Sequence, residues 1–576
     1  MKSMIQGFAI LLGVLVFGLP ALVHAETQWP AVVEDFTPPA SGEHPRLLFR
    51  ESDLPQLRAF AETPQGQALI KRLRDCLNGS DGKSMPKQYN PVVGPAAEDG
   101  TGEFHEHAPL GAYTFSHIVG YGFLYQMTQD PLYAELGKQS FEKALAGYRD
   151  RDRRYSFKAP YGALRAGPVL GCTAIGYDLC YDGWDDETRE KVCRALANYH
   201  ESEKSNLEAL TKGSMPPFSN HYGMQVGGAA LALLAINQDP WVNQARIDEL
   251  LAVSQQSMIR NLTEGFGDGG FFAEGDGTGS MSSHIVFLTA LQAWKTAGGL
   301  DFITPRPNAP WTALKYLYLT IARDGEMDFW PKRGGYPHNV WQRGDKSGSG
   351  YFALGFGGVA EKHKPAMLWF YDAFLKAHDE ANGKPFDTPS PYPHFAVCSY
   401  INWPWQMQAV NPAEILPKCY RDSKWGLYVF RNRWQDEHDI VISVLTQDAE
   451  GYIESHTDGE VHIAAEGKKE TWGQLEGETR QWIAGQDGSG ILALQNGTCL
   501  AVDFSGASGA DAMMLMTGPG RGEGEMVELN GQPLSLRFYG FTQQPPIEKQ
   551  QGFVTIGDQQ IRMEDGVLQL SIFEQQ

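Results

Sequence analysis

The stretch Ser219-Asn220-His221-Tyr222-Gly223 brings an amide, an imidazole and a phenol together at the front of an apolar run, Met224 to Ile236. An amide can neutralise a carboxylate. An imidazole can take a carbon-bound proton near neutral pH, and a phenol can return a proton to a leaving oxygen. Those are the three tasks of a β-elimination beside a carboxylate, in which the developing enolate has to be stabilised. The same residues also read as a Ser or Asn N-cap followed by a buried His.

A second concentration of chemistry is the acidic, glycine-rich loop Asp268 to Gly277, DGGFFAEGDG, with Asp268, Glu274 and Asp276. Paired carboxylates there would suit glycoside hydrolysis. They would equally serve as turn formers or calcium ligands. Tyr336 and His338 sit in Gly334-Gly335-Tyr336-Pro337-His338, close to Arg333, Trp341, Arg343 and Lys346. Arg151, Arg153, Arg154, Lys158 and Arg165 form another basic cluster. His456, Asp458 and His462 follow later, and His456 and His462 would share one face of an unbroken strand. His105 and His107 look like metal ligands but stand in a polar loop. Trp184, Trp330, Trp341, Trp403 and Trp405 are candidate platforms for sugar rings or plain core.

Elements must position these groups. From about 45 to 385 apolar residues recur at three- and four-residue spacing. Helices are expected at Glu51–Leu77, Pro109–Met127, Pro131–Tyr148, Tyr161–Tyr181, Asp186–Lys204, Ser219–Ile236, Trp241–Leu262, Ser280–Ala297, Trp311–Arg323 and Lys364–His378. Ten helices in antiparallel pairs predict an (α/α) toroid. After about 420 short β-type runs alternate with Gly, Asn and Asp turns, which predicts an antiparallel β-sandwich. The expected division is a leader at 1–25, the toroid at 26–400, a linker at 401–424 and the sandwich at 425–576.

Lys2, the apolar core Phe8 to Leu19 and the small residue Ala25 read as a cleaved secretory signal. The expected location is therefore periplasmic or secreted. No later stretch reaches about 18 apolar residues, so no membrane insertion is expected. A net charge of −21 argues against nucleic acid as a partner. A polyanionic substrate would need a local basic patch. The seven Cys form no CxxC pair and no disulfide framework.

Helices first and a sandwich second, behind a signal, resembles the heparinase II/III-like polysaccharide lyases. The landmarks are His44-Pro45-Arg46-Leu47-Leu48-Phe49, Asn220-His221, the acidic loop, and Phe430-Arg431-Asn432-Arg433-Trp434 followed by His456-Thr457-Asp458. The resemblance implies a toroid followed by a sandwich, and cleavage of a uronate-containing polysaccharide by β-elimination. Asn220 would neutralise the uronate, with His221 in proton transfer beside it. Glu274, Arg333, His338, Trp341 and Arg343 would bind substrate. The family often places a catalytic Tyr just after the acidic loop, where this chain has Gly275 to Gly279. Tyr222 or Tyr336 would replace it, and His284 or His456 could reach the cleft. Some relatives hold zinc in the sandwich, for which His456 and Asp458 match one motif. No cofactor is required by this chemistry, and a structural divalent metal, zinc or calcium, is the one candidate. The expected partner is an anionic polysaccharide. Two other readings stand beside the lyase: a glycoside hydrolase on the same toroid using Asp268, Glu274 and Asp276, and a glycan-binding protein without turnover.

Overall fold

The computed structural model describes residues 29–88, 109–277, 286–304, 308, 311–323, 326–331, 333, 355–381, 391–447 and 459–574. The expectations on the leader and on His105, His107, His284, Tyr336, His338, Trp341, Arg343, His456 and Asp458 lie outside these residues.

The helices used below are α1 Leu54–Ala61, α2 Pro64–Asn78, α3 His117–Thr128, α4 Pro131–Leu145, α5 Ala163–Cys180, α6 Asp186–Ala197, α7 Leu207–Lys212, α8 Asn220–Ile236, α9 Gln244–Arg260, α10 Phe287–Thr296 and α11 Pro393–Asn402. Two kinds of sequence make two layers. α3, α5 and α8 are apolar on every side and buried almost throughout, so they fill the interior. α2, α4, α6 and α9 carry one buried face and one polar face, and they cover the outside.

Small residues set how the inner helices meet. Ile118 of α3 packs over Gly176 of α5, and Gly122 lies against Leu179. Gly167 of α5 faces Met224 and Gly228 of α8, and Gly171 faces Leu231. The numbers rise together on both sides of each contact, so α3, α5 and α8 run parallel. Each outer helix returns the chain. A Cβ at Gly228 would stand 1.9 Å from the Gly167 carbonyl oxygen, so this approach requires glycine. α10 packs on α8, and α11 packs on α2 and α3, bringing the last helix against the first. The result is the expected toroid.

Several expected helices differ: Pro109–Met127 begins only at His117, Asp186–Lys204 ends at Ala197, and Lys364–His378 is interrupted over Tyr371–Leu375. Glu51–Leu77 is divided at Thr63, whose side chain accepts a hydrogen bond from Gly66 N at 3.0 Å, with Pro64 opening α2. Proline at N1 starts a helix but cannot continue one. Trp311–Arg323 becomes two single turns and then a strand, Thr320–Arg323, paired with Glu326–Phe329.

The sandwich begins with β1 Cys419–Asp422, β2 Leu427–Arg431, β3 Val441–Leu445, β4 Glu460–Ala465 and β5 Lys468–Gln474, antiparallel in that order. A second sheet holds β6 Thr479–Ala484, β7 Gly490–Leu494, β8 Cys499–Asp503, β9 Ala512–Thr517, β10 Glu525–Leu529 and β11 Gln532–Tyr539, with β11 between β9 and β10. A third has β12 Ile547–Gln550, β13 Phe553–Ile556, β14 Gln559–Glu564 and β15 Val567–Leu570. Side-chain alternation sorts the layers. Tyr428, Phe430, Ile442, Val444, Val461 and Ile463 face the second sheet. Leu427, Val429, Val441, Leu445 and Ala464 join the helical core instead. The second sheet packs on the third through Ile491, Ala501, Leu515 and Ile561. It is buried on both faces, which is why β7, β8 and β9 read as unbroken apolar runs.

Two sequence landmarks turn out to be fastenings. His44 Nδ1 lies 2.7 Å from Asp178 Oδ1, and Arg46 pairs with Asp239 at 2.9 Å, tying the N-terminal segment to the chain after α8. Arg431 is fully buried; it donates to the carbonyl oxygens of Tyr318 and Thr320 and pairs with Asp439 at 2.8 Å. Trp434 Nε1 donates to Leu317 O at 2.8 Å. The first sheet is thereby locked to the toroid.

All seven Cys are buried, with no disulfide among them. Among the described residues no helix is long and apolar enough to cross a membrane.

Candidate active site

α8 opens at Asn220, with Ser219 as N-cap; its side chain accepts from His221 N at 3.4 Å. The capping expected from the sequence and the chemistry expected from it therefore share one turn. Glu274 of the acidic loop reaches this helix start. Its Oε2 accepts from Asn220 Nδ2 at 2.5 Å and from Asn220 N at 3.2 Å. A carboxylate at a helix N-terminus is favoured by the exposed amides and the dipole. Both residues are buried, at 2 % and 3 % exposure, yet Glu274 Oε1 and Asn220 Oδ1 have no hydrogen-bond partner. Buried polar atoms are almost always paired, so each keeps an acceptor that a water or a ligand would satisfy. Burial pushes the Glu274 carboxyl above its usual range, against the lowering by the two Asn220 donors.

His221, the next residue, is half-buried. Burial, helped by the charge of Arg165, pushes its imidazole down to about 4. It is therefore neutral at physiological pH and has a lone pair to offer. Arg165 stands in the first turn of α5, the inner helix parallel to α8, which is how two distant residues come to share one end of the ring. The rest of the Arg151–Arg165 cluster is largely neutralised: Arg154 pairs with Asp152 at 2.7 Å and Lys158 with Glu201 at 2.9 Å.

Tyr222 does not join the site. It is fully buried, packed under Gly213 and within 5.9 Å of the Arg260 guanidinium. One residue advances a helix by about 100°, so a neighbour of His221 points elsewhere. The expectation of a catalytic phenol at Tyr222 is corrected accordingly.

The acidic loop separates into three roles. Asp268 accepts from Ser423 Oγ at 2.6 Å and from Lys424 N at 3.1 Å, and these donors outweigh burial to hold it below the usual range. Asp276 is buried against Lys315 at 3.0 Å and takes Arg333 N at 3.3 Å. Both are engaged in holding the loop, so the carboxylate pair wanted by a hydrolase reduces to Glu274. The glycines have a physical reason in Asp422, at the end of β1. Its carboxylate accepts from Gly269 N and Phe271 N, both at 2.9 Å. A Cβ at Gly267 would fall 1.9 Å from Asp422 Oδ1. Burial lifts Asp422 to about 7 despite those backbone donors. Asp422 and Lys315 escaped the sequence reading. One ends a short strand before a polar turn and the other stands in a run that read as plain helix, and neither carries a local motif.

Next to Asp276, Arg333 is buried and its Nη2 donates to Ser443 Oγ of β3 at 3.3 Å. Ser443 is the register partner of His462 on β4, and His462 meets Trp330 edge-on at 5.0 Å. These groups lie on the toroid-facing side of the first sheet. β4 begins only at Glu460, after Gly459 at φ 67°. Among the described residues no group of three metal-ligating side chains is assembled. Trp184 is core: it is buried and its Nε1 donates to Ala134 O at 2.8 Å.

No family model matches the chain, and no curated protein matches it. Among solved structures it is similar to heparinase III, at 11% identity over 89% of this chain and 82% of that one, with a TM-score of 0.42. It is similar to the heparan sulfate lyase HepC from Pedobacter heparinus, at 10% identity over 88% of this chain and 89% of that one, TM-score 0.42. A variant of the chondroitin AC lyase of Streptomyces coelicolor A3 is similar at 11% identity over 87% of this chain and 76% of that one, TM-score 0.35.

Proposed function

We propose that this chain is an exported polysaccharide lyase that cleaves a uronate-containing polymer by β-elimination at the start of α8. The observation that carries the reading is a neutral imidazole, His221, beside the Arg165 cation and next to an amide, Asn220, that a buried carboxyl holds in place. A proton next to a carboxylate is weakly acidic, because its removal places further charge on an anion. Arg165 offers positive charge, and Asn220, held by Glu274, keeps a second amide N–H, where that charge would build up. His221 then takes the proton. The bound carboxylate offsets Arg165, which raises the basicity of His221 as the complex forms. The electron pair forms the C=C bond and the glycosidic oxygen leaves, accepting a proton from a donor for which Tyr336 and His456 remain the candidates.

Local charge reconciles an anionic substrate with a chain of net charge −21. Arg165 stands beside His221, and the nearby Asp276 is neutralised by Lys315. The test is ultraviolet absorbance from the new C=C bond on a panel of uronate polysaccharides, with His221→Ala in parallel. Absorbance that rises with wild type and not with the variant supports the lyase. Shortened chains without absorbance would transfer the role to Glu274 and a hydrolase. Binding without turnover on every polymer would leave a glycan-binding protein.

A further inference from the structure

Inner helices α10 and α11 end at a cavity far from Asn220 and His221. Phe287 at the start of α10 lies against Gly227 of α8. Thr289 lies beside Cys398 and Gln292 beside Asn402, so α10 and α11 run in the same direction. Counting up α8 and then α10, Gln292 stands about twelve residues beyond Asn220, or ~18 Å at 1.5 Å per residue. There lies a half-open pocket of about 470 Å³, within the range of small-molecule sites.

The lining has a definite chemistry. Phe60 of α1 stacks on Trp405 at 5.5 Å and 17°, and the indole stays half exposed. Trp403 is held edge-on to Tyr371 and to Phe356. Between the rings stands a reciprocal amide pair: Gln292 Nε2 donates to Asn402 Oδ1, and Asn402 Nδ2 donates to Gln292 Oε1 at 3.2 Å. Gly357 packs against Gln292, with no room for a Cβ, and this fixes the amide. A paired amide spends one donor and one acceptor lone pair, so each keeps a further N–H and further lone pairs. Gln56 and Gln406 add two exposed amides at the mouth.

Hydroxyl groups both donate and accept, and sugar rings present flat C–H faces to aromatics. Amides and indoles together match both. Charge narrows the class: Lys364 is paired with Glu361, which leaves Asp53 as the net charge of the cavity. That balance repels a carboxylated or sulfated sugar. We infer that this cavity is a second saccharide site, one that takes one or two neutral pyranose units with a ring against Trp405. The inference does not rest on the reaction assigned to Asn220 and His221.

The experiment is saturation-transfer NMR and titration calorimetry on the full chain, with methyl glucoside, methyl galactoside, N-acetylglucosamine, cellobiose and lactose, and glucuronate as the charged control. Saturable binding of a neutral sugar is expected, weakened roughly tenfold or more by Trp405→Ala, the size of a lost aromatic contact. The exposed Gln406→Ala should weaken it as well, and this variant covers the case in which Trp405→Ala fails to fold. His221→Ala should bind the sugar as wild type does, which separates this site from the cleft. The proposal is overturned if none of these sugars binds, if binding survives both cavity variants unchanged, or if glucuronate binds as tightly.

Discussion

Replacing Arg165 by Gln removes the cation that helps depress His221, and the pH profile should report it. With its imidazole at about 4, His221 is protonated in about one molecule in a thousand at pH 7, against about one in four for an unperturbed His. If it is the base, kcat/KM for wild type should rise with pH through about 4 and be flat by pH 6, because that ratio reports the free enzyme. kcat reports the complex. There the substrate carboxylate opposes Arg165, so the acid limb of kcat should lie higher. In Arg165→Gln the kcat/KM limb should move up from 4 but stop short of 6.5, since burial is the larger cause and remains. Absolute rates fall too, because Arg165 also faces the carboxylate; the position of the limb is the readout. Initial rates of absorbance between pH 3.5 and 8, with circular dichroism at each pH to verify the fold, give both profiles. A wild-type limb near 6.5, or one that stays put in Arg165→Gln, would refute the assignment. The second outcome also separates His221 from titration of the polymer, which no substitution in the protein can shift.

Four further outcomes follow from the geometry. Removing one side of the buried Lys315–Asp276 pair, as in Asp276→Asn, should cost about 3–5 kcal/mol in denaturant unfolding, because the remaining charge has no partner; a loss under 1 kcal/mol would contradict the burial. Gly267→Ala should lower Tm and turnover together, by about 1–3 kcal/mol of overpacking, as the Cβ displaces Asp422 and with it the loop that carries Glu274. Burial lifts Asp150 to about 8, so between pH 4 and 8 the folded chain holds a proton that the unfolded chain has released. Stability contributed by that group falls as pH rises through this window, and the Tm advantage of Asp150→Asn should grow from pH 4 to pH 8; a constant difference would sink the idea. Glu274→Gln keeps an acceptor for Asn220 and should fold normally while losing most activity, as measured by thermal melting and the absorbance assay.

The order of helices and sandwich strands was legible from apolar spacing, because periods of 3.6 and 2 follow from backbone geometry alone. So was the helix start at Asn220, since a cap before an apolar run is a local pattern. Ser219 was legible as a cap for the same reason. Tyr222 was misjudged. Adjacency in sequence put it beside His221, and helical rotation took it into the core. Asp268 and Asp276 were rightly picked out as unusual but for the wrong reason. Whether a carboxylate reacts or fastens depends on what faces it, and Ser423, Lys424 and Lys315 are remote in the chain.

The sequence by itself determined which segments must be inside the ring, because α3, α5 and α8 have no polar face to give to water. It also determined that the glycine-rich loop would turn sharply. Tertiary structure alone decided that Glu274 meets Asn220, that Arg165 charges the surroundings of His221, and that Gln292 and Asn402 close a cavity at the far end of the ring. Each of these depends on parallel inner helices whose register is set by glycine contacts such as Gly167 against Gly228. Such contacts join residues tens of positions apart, and no local spacing encodes them.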